Sequence, residues 1–279
     1  MQQTLYLREA ARRGEARTLR RLLSGFDSAA GRAALGAADE NGDTPLHHAA
    51  RSGEAEAVKL LLLRGASPHA RSRWHLTPLH CAVEYARPDC VRLLLDHGAG
   101  VDARRGDGST PLMAALAQAA SAATPVQEQT ALWTARLLLA YGADPNARDD
   151  GGGRTPLMYG VTHPEARELV LAAGAQVDGR DHAGRTALMY AVLRCDLPLA
   201  RALIAEGADV NARDHEGHTP LMLLMLARLQ SHPLLRELLG AGADVAARST
   251  TGETVLTLAR VRGRSWWAID ELHAHGARS

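Results

Sequence analysis

The tetrapeptide Thr-Pro-Leu-His stands at Thr44–His47 and again at Thr77–His80, and degraded copies begin at Thr110, Thr155, Thr186, Thr219 and Thr254. These threonines lie 33, 33, 45, 31, 33 and 35 residues apart. A second marker, Gly-Ala, keeps step at Gly65, Gly98, Gly142, Gly174, Gly207, Gly242 and Gly276. Two independent markers at one pitch mean a stacked array of repeated units, and such an array is one continuous body whatever its length.

Within a unit the signals are those of a helix pair. Threonine is a good N-cap, because its hydroxyl accepts a bond from an amide that has no partner in the first turn. Proline follows at the first helical position, where its missing N–H costs nothing. Leu46, Ala49 and Ala50 then fall at helical spacing. Gly53 stops this helix, and a second one over Ala57–Leu63 ends at Gly65, where glycine suits a C-terminal cap. Turn-forming residues link the units, as in Asp39–Asp43 and Asp214–His218. Two such short helices bury an apolar face only by stacking on copies of themselves.

Composition agrees. Hydrophobic residues make up 46% of the 279 and aromatics only 4%, so small aliphatic side chains do the packing. A net charge of +1 supplies no global field toward nucleic acid or membrane. Cys81, Cys90 and Cys195 form an odd set without paired spacing, which predicts no disulfide and a reducing compartment. The first residues show no signal-peptide pattern, and the longest apolar run, Leu221–Ala227, is too short to span a bilayer. A cytoplasmic protein with no membrane contact is expected.

Thr44-Pro45-Leu46-His47-His48-Ala49-Ala50, Leu61-Leu62-Leu63-Arg64-Gly65-Ala66 and Gly207-Ala208-Asp209-Val210-Asn211-Ala212 resemble the ankyrin repeat family, and the resemblance covers nearly the whole chain. It implies an all-α solenoid of helix-turn-helix units joined by β-hairpin-like turns, with about seven motif-bearing repeats and a degenerate N-terminal cap. A fold of this kind does not fix a partner. Residues 1–38 read as the degenerate capping repeat and 39–279 as the repeats, with an insertion near 118–130 and a C-terminal cap near 254–279. In the first cap, Ala10-Ala11-Arg12-Arg13-Gly14 copies the end of a first helix, and Leu19, Leu22 and Leu23 mark a second. Ser24 to Ala38 reads as a long connection of small residues. Arg8, Arg12, Arg13, Arg17, Arg20 and Arg21 read as the polar exterior that a terminal repeat needs. Trp266, Trp267, Ile269 and Leu272 are expected to close the other end.

Departures from the pattern carry the individuality of the chain. Thr110 to Gly142 spans 32 residues, against 21 in the first two units. Inside the excess, Thr124-Pro125-Val126-Gln127 reads as a cap, a first-turn proline and a capping-box glutamine. A longer inter-helix connection is therefore expected, with the second helix restarted after it. The glycine triplet in Asp149–Arg154 reads as a hairpin tip, since no Gly-Lys-Ser/Thr follows as in a phosphate loop. The turn Ser72–Thr77 lacks the glycine that other units place two residues before threonine. By the resemblance, Arg73, Trp74 and Leu76 lie at an exposed hairpin tip on the concave side, with Glu84 and Tyr85 facing the same groove. Trp, Tyr and Arg dominate binding hot spots. Equivalent positions farther along hold Arg154, His163, His182, Arg185, Arg194, His215, Glu216 and His218, while Arg71, Arg104, Arg180, Arg213 and Arg248 share one phase. Together they read as a concave face that is apolar near the second unit and cationic beyond it, complementary to an acidic protein segment. A merely solvated polar face is the alternative. Single-stranded nucleic acid would need successive aromatic platforms, which are missing.

Catalytic and metal chemistry find little support. The resemblance implies that His47 and His80 bond between neighbouring turns, and His97 reads as a cap on helix-end carbonyls. Arg180-Asp181-His182 and Arg213-Asp214-His215 recur at the repeat period, so their aspartates read as turn formers. His273 and His275 fall one ligand short of an open zinc site. No Gly-x-Ser-x-Gly, His-Glu-x-x-His or Cys-x-x-Cys occurs. No enzyme, cofactor or metal is expected. The expected function is a monomeric protein-binding module that engages one protein partner along its concave face and inhibits or stabilises it. The alternative is a ligand- or metal-responsive regulator that uses the histidine-rich later repeats.

Overall fold

Each hairpin turn is closed by a backbone bond across its base, and the threonine after it starts a helix. Asp39, Ser72, Arg105, Asp149, Asp181, Asp214 and Ser249 donate their amides to the carbonyls of Asp43, Leu76, Ser109, Arg154, Arg185, His218 and Glu253. A side-chain oxygen then ties down the turn. Asp39 Oδ1, Asp181 Oδ1 and Asp214 Oδ1 each accept two turn amides, as expected of an Asx turn. Thr77, Thr110, Thr186 and Thr219 accept the amide three residues on, which satisfies one orphan donor of the following helix.

A computed structural model describes residues 2–24, 29–227, 231–261 and 266–277. Its helices come in pairs. They are α1 (Gln2–Arg12) and α2 (Ala16–Leu23), a lone α3 (Ala29–Leu35), then α4 (Pro45–Ser52) and α5 (Ala55–Leu63), α6 (Pro78–Glu84) and α7 (Pro88–Asp96). After these follow α8 (Pro111–Ser121) and α9 (Pro125–Ala140), α10 (Pro156–Gly160) and α11 (Pro164–Ala172), α12 (Ala187–Leu193) and α13 (Leu197–Ala205). The last are α14 (Pro220–Leu226) and α15 (His232–Gly240), α16 (Val255–Val261) and α17 (Trp266–Ala274). Among the described residues there is no strand, only an isolated bridge between Arg248 and Thr254. The chain is an all-helical solenoid, as its repeat requires.

First helices stack on first helices, α1 on α4, α4 on α6, α6 on α8, α8 on α10, α12 on α14 and α14 on α16, and second helices do likewise; the junction of the fourth and fifth units is the exception in both layers. The leucine of every marker lies at the centre: Leu46, Leu79, Leu112, Leu157, Leu188, Leu221 and Leu256 are all buried. Backbone bonds run along the turns as well. The amides of Arg73, Gly106, Asp150, His182, His215 and Thr250 each donate to a carbonyl of the preceding turn, at 2.7 to 2.9 Å. A second ladder joins the loops after the second helices. There Asp144, Gln176, Asp209 and Asp244 donate amides to the side chains of Asp102, Asn146, Asp178 and Asn211.

Three expectations need correction. Ser24 to Ala38 is not simply a connection, because it contains α3. The third unit does not lengthen its loop: three residues, Ala122–Thr124, separate α8 from α9, and the extra length extends both helices. The predicted cap at Thr124 does form, with its hydroxyl accepting Gln127 N at 3.3 Å and Gln127 Oε1 accepting Ala123 N at 3.2 Å. The arginines in one phase are not a free cationic row. Arg104, Arg180 and Arg213 donate to the carbonyls of Arg148, Arg213 and Arg248 in the next unit. At the N-terminal cap, Arg12 and Arg13 pair with Glu9, and Arg20 with Glu56. At the other end Leu272 is buried and Ile269 packs on the core, whereas the side chains of Trp266 and Trp267 lie outside the described residues.

The two marker histidines are buried fittings. His47 Nδ1 accepts the Thr44 amide at 3.1 Å and faces the Thr44 hydroxyl at 2.9 Å, so Nε2 carries the proton and donates to Leu76 O at 3.0 Å, in the next turn. His80 repeats the contacts to its own threonine, but its buried Nε2 reaches no acceptor in hydrogen-bond geometry, so the cross-turn bond expected of both histidines forms only at His47. Burial pushes the His80 imidazole down to about 4, against the opposing pull of the Ser109 and Ala103 carbonyls, and burial lowers His47 as well.

Two predictions follow from this frame. Both folded histidines resist a proton that the unfolded chain accepts near pH 6.5. Their contribution is therefore full above pH 6.5 and, for His80, drains away as the pH falls to about 4. It amounts to about 3 kcal/mol for His80. Urea unfolding of His80→Gln should show a flatter loss of stability across that window than the wild type; equal slopes would refute the assignment. The second concerns His75, whose φ of 59° is left-handed where Gly42, Gly108, Gly153, Gly184, Gly217 and Gly252 stand in the other turns. A non-glycine residue is strained there, so His75→Gly should raise stability by about 0.5–1 kcal/mol in thermal or urea unfolding.

Candidate functional site

The second turn holds its tip residues in a fixed backbone. Arg73 N donates to Asn41 O and Trp74 O accepts Gly106 N, each at 2.9 Å, so the tip is stitched to both neighbours. The Trp74 side chain projects from this frame and is 58% exposed. Arg73 and Glu84 are exposed too. Tyr85, 48% exposed, ends α6. The Arg51 guanidinium lies over its ring at 5.6 Å and is itself anchored by Asp43 Oδ2 at 2.8 Å. Leu76 is different: it is half-buried against the core and its carbonyl receives His47. Gln118 Nε2 caps the end of α6 through the carbonyls of Val83 and Glu84, at 3.0 and 3.1 Å.

The later positions divide into structural and free groups. His163 caps α11, with Nδ1 accepting Ala166 N at 3.2 Å and Nε2 facing Glu128 Oε1 at 3.1 Å. His182 and His215 are exposed, and their rings lie over Gly153 and Gly184, where a Cβ would meet them at 2.3 and 2.6 Å. Arg185 is half-buried, with Nε 3.8 Å from Asp214 Oδ2. His218 is buried rather than displayed. Its Nδ1 lies 3.1 Å from Glu216 Oε2 and 3.7 Å from Asp214 Oδ1, outside hydrogen-bond geometry. These three side chains bring one ligand atom each within 4.8 Å, as do Asp39, Asp43 and His48 near the other end. In the latter set His48 Nε2 already meets Asp39 Oδ2 at 2.8 Å, and Asp43 holds Arg51.

Arg154 and Arg194 come together. Both are exposed, and both line a cleft of about 220 Å³ between the fourth and fifth units, with Met158, Val161, Tyr190 and Leu199. The apolar residues of this cleft were missed in the sequence. The signal was present: Thr155 to Gly174 spans only 19 residues, against 21 in the first, second and fifth units. The shortage leaves α10 with five residues, so it packs on α8 while a gap opens toward α12. Tyr159 and Tyr190 brace the two sides by donating their hydroxyls to Asp149 and Asp181, at 2.7 and 2.5 Å. Burial and these carboxylates push the tyrosines up, Tyr159 to about 12, so both stay protonated donors.

Among the described residues no helix is long and apolar enough to cross a membrane. A family model described as ankyrin repeats in three copies matches residues 3–72, 56–149, 122–214 and 160–249. The B-cell lymphoma 3 protein homolog of Mus musculus is 34% identical over 163 residues, which are 58% of this chain and only 35% of that protein. The crystallised ankyrin repeat domain of Bcl-3, described as a unique member of the IkappaB protein family, superposes with a TM-score of 0.72 at 33% identity. That match covers 84% of this chain and 97% of the domain. The chain therefore belongs to the ankyrin repeat family.

Proposed function

We propose that this protein is a non-enzymatic protein-binding module that engages a partner protein along the concave face formed by its hairpin tips and first helices. The observation that carries the reading is Trp74. An indole 58% exposed on a backbone stitched at both sides is unfavourable in water and loses little freedom when covered. Tyr85 and Arg51 add a second aromatic and a cation. The likeness to the Bcl-3 domain supports an interaction role for a chain made almost wholly of repeats.

Other features favour this class over an enzyme. Cys81 and Cys90 are free and buried, and burial pushes both thiols up to about 12, which makes them packing atoms and poor nucleophiles. Free thiols fit a reducing compartment such as the cytoplasm. A monomer that inhibits or stabilises a single partner is the simplest form of the proposal.

The test is direct. With the protein as bait, its partner is captured and the affinity measured by calorimetry. Trp74→Ala combined with Tyr85→Ala should weaken binding by at least about 2 kcal/mol, because hot-spot aromatics contribute on that scale. Neither side chain belongs to the buried core, so the melting temperature should change little. An unchanged affinity removes these anchors from the proposal.

A metal-responsive role is a second reading, favoured by the buried His218 Nδ1 beside Asp214 and Glu216. Against it, Asp214 Oδ1 already accepts two amides and the Arg185 cation stands close to Oδ2. A cation bound there would raise the melting temperature by mass action. The expected result with zinc is no rise; a rise abolished by His218→Ala would favour the metal-responsive reading instead.

A further inference from the structure

We infer that the cleft between the fourth and fifth units is a subsite for an acidic segment of a partner protein, which seats one apolar side chain there and lays a neighbouring carboxylate on Arg154 and Arg194. The inference rests on the protein-binding reading above and names the chemistry of what is bound.

Size comes first. Ligand pockets for small molecules run from about 300 Å³ upward. A cleft of about 220 Å³ is smaller than that and suits a single side chain. Its lining is apolar where the chain enters, with Val161 and Leu199 buried at its base and Met158 half-exposed on α10. Met158 adapts to the shape of what it meets, since its side chain is unbranched and polarizable.

Charge selects the occupant. Most arginines of this face have work elsewhere: Arg104, Arg180 and Arg213 clamp the next unit, Arg51 holds Asp43, and Arg185 faces Asp214. The guanidiniums of Arg154 and Arg194 share in none of these ladders and stand exposed at the rim. The carboxylates beside them in the chain are engaged elsewhere, and Asp196 Oδ1 accepts the Leu199 amide at 3.1 Å. Asp149 is occupied by the amides of Gly152, Gly153 and Arg154 and by the Tyr159 hydroxyl. Asp181 is occupied by the amides of Ala183 and Arg185 and by the Tyr190 hydroxyl. Two guanidiniums beside an apolar slot favour a carboxylate, which arginine binds through paired N–H donors. The tyrosine hydroxyls are engaged by those aspartates, so what remains open to a visitor is apolar surface, the exposed Thr162 and positive charge.

The shortened α10 gives the cleft its reason. A cleft of about 240 Å³ also lies at the ends of α6 and α8, but Glu84, Gln118 and Gln127 line it and no arginine does. The turn ladder still crosses this junction through His182 N and Gly152 O at 2.7 Å, so the slot is held open by a continuous backbone.

The experiment uses the full chain and an array of twelve-residue peptides in which each of the twenty residues is flanked by two acidic residues on either side. Lysine-flanked counterparts serve as the control. Binding is read by fluorescence polarisation and located by methyl NMR. Acidic peptides with a central leucine, methionine or phenylalanine should bind, shift the methyls of Met158, Val161 and Leu199, and bind at least tenfold more weakly to Arg154→Gln combined with Arg194→Gln. Both arginines are exposed, and circular dichroism checks that the variant is folded. If the peptides bind but shift methyls elsewhere, or bind the variant equally well, this subsite is wrong while the concave-face reading stands. If no acidic peptide binds better than its lysine counterpart, the inference fails. Loss of the broader reading would show separately, as an unchanged affinity of Trp74→Ala with Tyr85→Ala for the captured partner.

Discussion

One amide of each hairpin donates to a carbonyl of the hairpin before it, and this single bond repeats at all six junctions between the seven turns. It sets the spacing of the units. A helix pair cannot slide against its neighbour without breaking it, so the marker leucines meet in register at the centre. The threonine caps and the aspartates of the turns act on this same bond from within, because they hold the turn in the shape that aims the amide. His47 reaches across as a side-chain rung of the same ladder.

Most of the fold was legible because its signals are local and repeated. A threonine followed by proline marks a helix start at any position in any unit, and seven copies remove the ambiguity of one. The Thr124–Gln127 cap was legible for the same reason, although it did not say that the residues before it would extend α8. Ala and Ser in that stretch have no turn chemistry, and alanine is the best helix former, so the helix simply continued. The helix α3 was missed likewise: its residues are small and carry no cap signal that stands out from a linker.

The candidate site was only partly legible, because residue type does not disclose which donors a frame will consume. Trp74 and Tyr85 could be picked out by type and position. Arg104 and Arg213 differ from Arg154 in phase, but phase alone does not say that two of them clamp a neighbouring carbonyl and one stands open. His163 and His218 were placed by phase on a display surface and are instead a helix cap and a buried turn residue. The two missing residues of the fourth unit were visible as a spacing, but their effect is a gap between helices, which only the stacked array reveals.

The short α10 also bears on how the array holds together as a polymer of units. In a solenoid the stability is a sum of each unit and its contacts with the next, so the chain behaves as a row of coupled elements. At most junctions two layers of helices and the turn ladder share the coupling. Between the fourth and fifth units both helix layers are thin, and the bonds from His182 N to Gly152 O, Arg180 to Arg213 O and Asp209 N to Asp178 carry more of it. Cooperativity in such a row divides at its weakest link. The Trp74 end and the His218 end are thus coupled across this junction chiefly through directed hydrogen bonds rather than through packed helices.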